Sequence, residues 1–202
     1  MVNEILVFGK WSTTGIKVED PGLVGYINLE PRMVPKTGAT YVGKRFHKSI
    51  KTFIVERLIN KLMVPTHKSK KHFIQRSGSL TGKGNTAYNI VLKTFEKIES
   101  LTKENPIKVF VKALENAAPR EEIITIEYGG ARYPKAVESA PQRRIDIALR
   151  LMTQGAAQKA FKTKKPIENT LADEIINAYK LSANSLAISK KQETERQADA
   201  SR

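Results

Sequence analysis

EEIITIEYGGARYPKAVESAPQRRIDIALR, residues 121–150, is the stretch that decides the fold. Over 121–138 apolar and polar side chains alternate around Gly129-Gly130, as in two strands joined by a tight glycine turn. Pro134 cannot donate to a ladder, so it marks the second strand as an edge strand or a short one. From Pro141 the period becomes helical. Ile145, Ala148, Leu149 and Met152 form a core stripe, with Arg143, Ile147 and Arg150 on the opposite face. A two-stranded hairpin is marginal alone and must lean on helices or on a partner.

Working outward, the flanking sequence is helical on both sides. Pro106 to Ala117 reads as a helix, with Pro106 in the first turn and Pro119 after the end. A helix over about Thr86 to Leu101 carries Ala87, Ile90, Val91, Thr94, Phe95 and Ile98 on one face. Another, from about Lys48 to Val64, is ended by Pro65 and apolar on more than half its circumference. Downstream, the Pro141 helix runs to about Ala156. Further helices span about Asn169 to Leu181, where Thr170 and Asp173 have a capping-box-like spacing, and from about Ser189 towards the C-terminus. The fold class is mainly α: a bundle of about six helices with one projecting two-stranded β-hairpin arm. Residues 1–40, with β-prone pieces such as Ile5 to Phe8, read as an N-terminal extension draped over a helical domain at 41–202. The hairpin arm occupies about 121–138, and a polar, basic insertion about 65–85.

With 202 residues and no cysteine, the chain can bury a full core but can build no disulfide framework, thiolate zinc site or thiol nucleophile. No signal sequence or apolar run of membrane-spanning length is evident, which predicts a soluble, intracellular protein. Charge is the informative total: 35 Lys and Arg against 20 Asp and Glu, a net charge of +15. The excess is localised. Residues 41–83 carry +10 and residues 141–165 carry +6, while the hairpin region 121–140 is net −2. Two blocks so poor in acidic partners imply two contact surfaces for a polyanion, and nucleic acid is the partner that fits. Arg143, Arg144 and Arg150 project planar guanidinium forks from a rigid helix. Lys68, Lys70 and Lys71, with Arg76, look like a flexible electrostatic clamp, and Lys162, Lys164 and Lys165 complete the second block.

Other chemistry fits poorly. Gly78 to Gly84 has three residues rather than four before Gly82-Lys83, and Gly84 stands where a magnesium-binding hydroxyl is required, so it is no phosphate loop. His67 and His72 lack companion ligands. Glu121, Glu122 and Glu127 have no pocket or nucleophile beside them. The sequence predicts no enzyme, no cofactor and no metal. A helical DNA-binding regulator remains the alternative from another class; it would need a base-reading helix, and the long basic loop would have no purpose in it.

With these residues in view, the chain resembles protein seven of the small ribosomal subunit, in its archaeal and eukaryotic form. The resemblance starts at about Lys44-Arg45-Phe46 and runs to Arg202 through IVERLINKLMV (54–64), ALENAAPREE (113–122), YGGARYPKAVE (128–138), PQRRIDIALR (141–150), GAAQKAF (155–161), LADEII (171–176) and AISKKQETERQADASR (187–202). The N-terminal forty residues and the insertion after Pro65 point to the archaeal branch. The resemblance implies a helical domain with an extended hairpin arm, working on the ribosome in the cytoplasm, one copy per particle. It implies early, direct binding to the 3′ major domain of small-subunit rRNA, nucleation of head assembly, and a place near the decoding centre, mRNA and exit-site tRNA. Small-subunit proteins nine and eleven are the implied neighbours, and no membrane is involved. Arg143 and Arg144 match the family's paired arginines after the hairpin and, with Arg150, are assigned to rRNA phosphates. Lys44, Arg45, Lys48 and Lys51 match the basic approach to the first conserved helix, and Lys83 a basic position before the second. Tyr128, Gly129, Gly130, Arg132 and Tyr133 match the hairpin tip. Many bacterial members are basic there and this arm is not, so shape, backbone contacts and tyrosine stacking are expected of it rather than a phosphate grip.

Overall fold

The computed structural model describes residues 5–35, 51–64, 80 and 82–201. Among them are six helices and one hairpin: α1 (Ile54–Leu62), α2 (Gly84–Thr102), α3 (Pro106–Ala117), β1 (Glu121–Tyr128), β2 (Ala131–Glu138), α4 (Pro141–Ala160), α5 (Ile167–Tyr179) and α6 (Leu186–Asp199). The mainly helical bundle with one arm is therefore the architecture the sequence predicts.

Local signals fix most boundaries. The Asn105 side chain accepts from the Ile107 N–H and Pro106 opens the first turn, so α3 begins where its free donors are met. The Ser185 hydroxyl caps α6 in the same way at Ile188, a turn earlier than the sequence reading from Ser189. The capping box expected at Thr170 and Asp173 does not form. Pro166 ends the preceding turn, α5 starts at Ile167, and the Thr170 hydroxyl donates back to the Ile167 carbonyl inside the helix. Of the helix expected from about Lys48 to Val64, residues 48–50 lie outside the described residues; α1 itself has Phe53 at its N-terminal position, and the neighbouring Ile54 donates its N–H to the Asn28 carbonyl 3.0 Å away.

That bond belongs to the N-terminal segment, which does more than cover the helices. Val7, Trp11, Leu23 and Ile27 are buried in the same core as α1 to α6. Ile5 to Phe8 forms no strand; Val7 makes a single bridge to Trp11 around a turn in which Phe8 and Gly9 both have positive φ. The turn brings Phe8 and Trp11 edge-on to Phe95 of α2, with ring centroids 6.1 and 5.9 Å away, and Phe95 in turn meets Phe110 of α3 at 5.9 Å. Further on, the Glu115 carboxylate of α3 accepts the backbone N–H groups of Glu19 and Asp20. The segment is thus laced to α1, α2 and α3 by apolar contact and by backbone donors that would otherwise be orphaned.

The helices close on one another through small residues and one buried carboxylate. A Cβ at Gly155 of α4 would stand 2.8 Å from the carboxyl carbon of Glu174 on α5, so glycine is required there by space. Glu174 is fully buried, yet its oxygens accept from the Ser185 hydroxyl at 2.8 Å, the Ala187 N–H at 3.3 Å and the Lys159 ammonium at 2.6 Å. One satisfied carboxylate ties α4, α5 and the start of α6 together.

In the arm, Gly129 and Gly130 take φ of +57° and +83°, as a two-residue hairpin turn requires. Pairing runs from Tyr128 opposite Ala131 to Glu121 opposite Glu138. Only the base is half-buried, against α6; from Ile124 to Lys135 every residue is exposed.

Candidate nucleic-acid interface

Lys44, Arg45, Lys48, Lys68, Lys70, Lys71 and Arg76 lie outside the described residues. Lys51, just before α1, and Lys83, at the N-terminal position of α2, are exposed. The second block divides between inward and outward side chains.

The inward one is Arg144. It follows the core stripe at the spacing of Ala148 and Met152, and only 7% of it is exposed. Its Nε donates to the Pro119 carbonyl at 3.0 Å and Nη2 to the Asp20 carboxylate at 2.6 Å. Burial works to raise the Asp20 pKa, but the hydrogen bonds from Arg144 and the Gly22 N–H, with the charges of Arg144 and Arg120, outweigh it and hold the carboxyl below its ordinary value of 3.8. A depressed carboxyl stabilises the fold above its unfolded pKa, and that contribution disappears as pH falls through the lower folded value. Asp20→Asn is therefore expected to flatten the loss of stability as pH falls through and below the ordinary carboxyl value of 3.8, read as urea midpoints. An acid profile as steep as that of the parent protein would show that the pair contributes nothing.

Arg143 points outward but is not idle: its guanidinium makes a two-pronged bond to Glu122 at the base of β1, with contacts of 2.7 to 2.9 Å. Chiefly through that hydrogen bond, Glu122 raises the Arg143 pKa. At the tip, Arg132 pairs across the strands with Glu127 at 3.4 Å. Two of the three arginines assigned to phosphate thus hold the hairpin and the N-terminal segment in place.

Arg150 differs. It is exposed on α4 and among the described residues has no ion pair, and opposite it runs α1. There Arg57 is buried against α4, its Nη2 3.1 Å from Asp146 and its Nη1 3.3 Å from the Tyr26 carbonyl. One turn further along α1 stands Lys61, and one turn past Asp146 stands Arg150. Burial lowers the Lys61 pKa; Asp146 works against that, and the nearby charges of Arg150 and Arg57 add to it. Three cations thus stand around one carboxylate where α1 packs on α4, and Asp146 offsets the burial and repulsion felt by Lys61 only in part.

A second outward patch follows α4, where Lys162, Lys164 and Lys165 are all exposed in a short turn. The hairpin tip is exposed as well, Tyr128 by 82% and Tyr133 by 58%. Their register puts Ile124, Ile126, Tyr128 and Tyr133 on one face of the arm and the Glu127–Arg132 pair on the other. The described residues hold no acid-rich or histidine cluster able to bind a metal, and no helix long and apolar enough to cross a membrane.

Residues 25–202 match the family model described as ribosomal protein S7p/S5e. The chain belongs to the S7p/S5e family. It is 53% identical over 196 residues to the small ribosomal subunit protein uS7 of Nanoarchaeum equitans, covering 97% of this chain and 98% of that protein. Its identity to the uS7 proteins of Methanothrix thermoacetophila and Archaeoglobus fulgidus is 46% and 47%, again over nearly the whole of each chain. The S7p/S5e chain is of archaeal type, a structural, non-enzymatic protein of the small ribosomal subunit in the cytoplasm. The family match reaches back to Gly25, earlier than the Lys44 start of the resemblance, and so takes in Tyr26, Ile27 and Asn28, which contact α1 or the core.

Sequence reading did not single out Arg57 and Lys61, which the fold brings beside Asp146 and Arg150. Their signal was present: two cations at i and i+4 beside the Ile54, Leu58, Leu62 stripe, on a helix with a single acidic residue.

Proposed function

We propose that the chain binds the 3′ major (head) domain of small-subunit rRNA as a primary binder and nucleates assembly of the head. The observation that carries this reading is the α1/α4 contact, where the charges of Lys61 and the exposed Arg150 stand together beside the Arg57–Asp146 ion pair. Phosphates of a multi-helix RNA junction repel one another until such cations screen them, and the cations are relieved in turn. Lys162, Lys164 and Lys165 form a second contact, and Lys51 and Lys83 extend the surface at the starts of α1 and α2. Residues 44–48 and 68–76 supply the remaining basic positions. Arg144 acts as an internal brace, and Arg143 reaches phosphate only from its bond to Glu122. The arm, short of positive charge and rich in exposed tyrosine, reaches towards the decoding centre, where exit-site tRNA and mRNA pass, and small-subunit proteins nine and eleven are its neighbours. Each ribosome holds one copy.

The test is binding of the full-length protein to a transcript of the 3′ major domain as salt is raised. With roughly 6–10 phosphates contacted, affinity is expected to fall by about 10³–10⁵ between 50 and 200 mM salt. A flat salt dependence would sink this reading.

A further inference from the structure

The turn that follows α4 contains an element that phosphate binding alone leaves unused. Residues 161–166, FKTKKP, hold three lysines and no acid, and all six are exposed. The first of them is an aromatic residue. α4 ends at Ala160, and Phe161 leaves it in an extended conformation that carries the ring off the core stripe, with 44% of the residue exposed. Lys162 follows in the left-handed region, φ +58°, and its ammonium lies 5.8 Å from the Phe161 ring centroid. The turn is anchored rather than loose: the Thr163 N–H donates to the Ala160 carbonyl, and its hydroxyl bonds the Lys159 and Ala160 carbonyls at 3.1 and 3.0 Å.

We infer that this turn is a binding site for an unpaired nucleotide, with the base stacked on Phe161 and the flanking phosphates held by Lys162, Lys164 and Lys165. The inference rests on the RNA-binding reading above and adds to it a ligand class, since a duplex buries its base faces and offers such a turn only phosphate. A ring and a set of cations fixed on one short turn meet both halves of a nucleotide without a large ordering cost.

The experiment uses the full-length protein and two probes: an unstructured single-stranded RNA of about 12 nucleotides and a paired RNA duplex of about the same length, within the site sizes usual for single-strand binding. Phe161→Ala is expected to weaken single-strand binding about tenfold, with an unchanged salt slope and duplex binding within about twofold. Phe161→Leu, which keeps apolar bulk but has no ring, is expected to do no better than the alanine variant. Replacing the three lysines by alanine should instead lower the single-strand salt slope by about 2. In Phe161→Trp the new indole emission should be quenched by the single strand and not by the duplex; Trp11 is buried and supplies a constant background. Parent-level single-strand binding by Phe161→Leu or by Phe161→Ala, or equal losses on both probes, would overturn the stacking site while leaving the phosphate surface standing. Salt-insensitive binding of both probes by the parent protein would overturn the RNA-binding reading itself, and this one with it.

Discussion

Phe95→Ala is expected to cost about 3–5 kcal/mol of stability, the range for emptying a fully buried aromatic site. The ring is completely buried between α2 and α3, and both aromatic residues of the N-terminal turn lean on it. Its loss removes their shared support, so the effect should extend beyond the cavity. Urea denaturation gives the stability change. Limited proteolysis should show earlier cleavage within residues 5–35 than elsewhere. A loss below about 1 kcal/mol with unchanged cleavage would mean that the N-terminal segment is held by its hydrogen bonds alone.

The largest functional loss is expected from Lys61→Ala combined with Arg150→Ala. If each side chain meets one phosphate of the 3′ major domain, the salt slope of binding should fall by about 2, with affinity lower by one to two orders of magnitude near physiological salt. The same double variant should be as stable as the parent or slightly more so, since burial, helped by the charges of Arg150 and Arg57, outweighs the attraction of Asp146 and disfavours the Lys61 ammonium in the free protein. Weakened binding at undiminished stability distinguishes a ligand site from a structural one. Arg144→Ala should behave in the opposite sense: it leaves the partly buried Asp20 carboxylate without its partner and loses stability first. Unchanged RNA binding by the double variant would remove these two cations from the contact surface.

How much of this was legible in the sequence varies with the kind of signal. The hairpin and α3 could be placed to the residue, because Gly129-Gly130, Pro106 and Pro119 act through backbone constraints that no tertiary contact overrides. Boundaries resting on side-chain capping fared less well. Ser185, not Ser189, caps α6, and Thr170 bonds within α5, choices that depend on where Glu174 and Pro166 sit. The basic blocks gave the right class of partner, but charge counted along a chain carries no direction. Arg143, Arg144 and Arg150 lie within eight residues, yet one grips the hairpin, one is buried and one is exposed opposite α1. The core spacing of Arg144 with Ala148 and Met152 held that information. The partner that satisfies it, Asp20, is 124 residues away and appears only in the fold. The α1/α4 contact is likewise a tertiary fact, made by two helices whose order in sequence says nothing of their adjacency.

The register of the arm carries one more consequence. A two-residue turn makes Tyr128 and Ala131 a hydrogen-bonded pair, so the alternation places Thr125 and Pro134 at a non-bonded position. There a residue's N–H would point away from its partner strand, and Pro134 has none to offer. Before the chain meets its ribosome, the arm is a two-stranded ribbon with both edges bare and an apolar face at Ile124, Ile126 and Tyr133. Such a ribbon is a template for adding strands from other copies of the chain. Pro134, with no N–H to offer an added strand, interrupts one of those edges at mid-length.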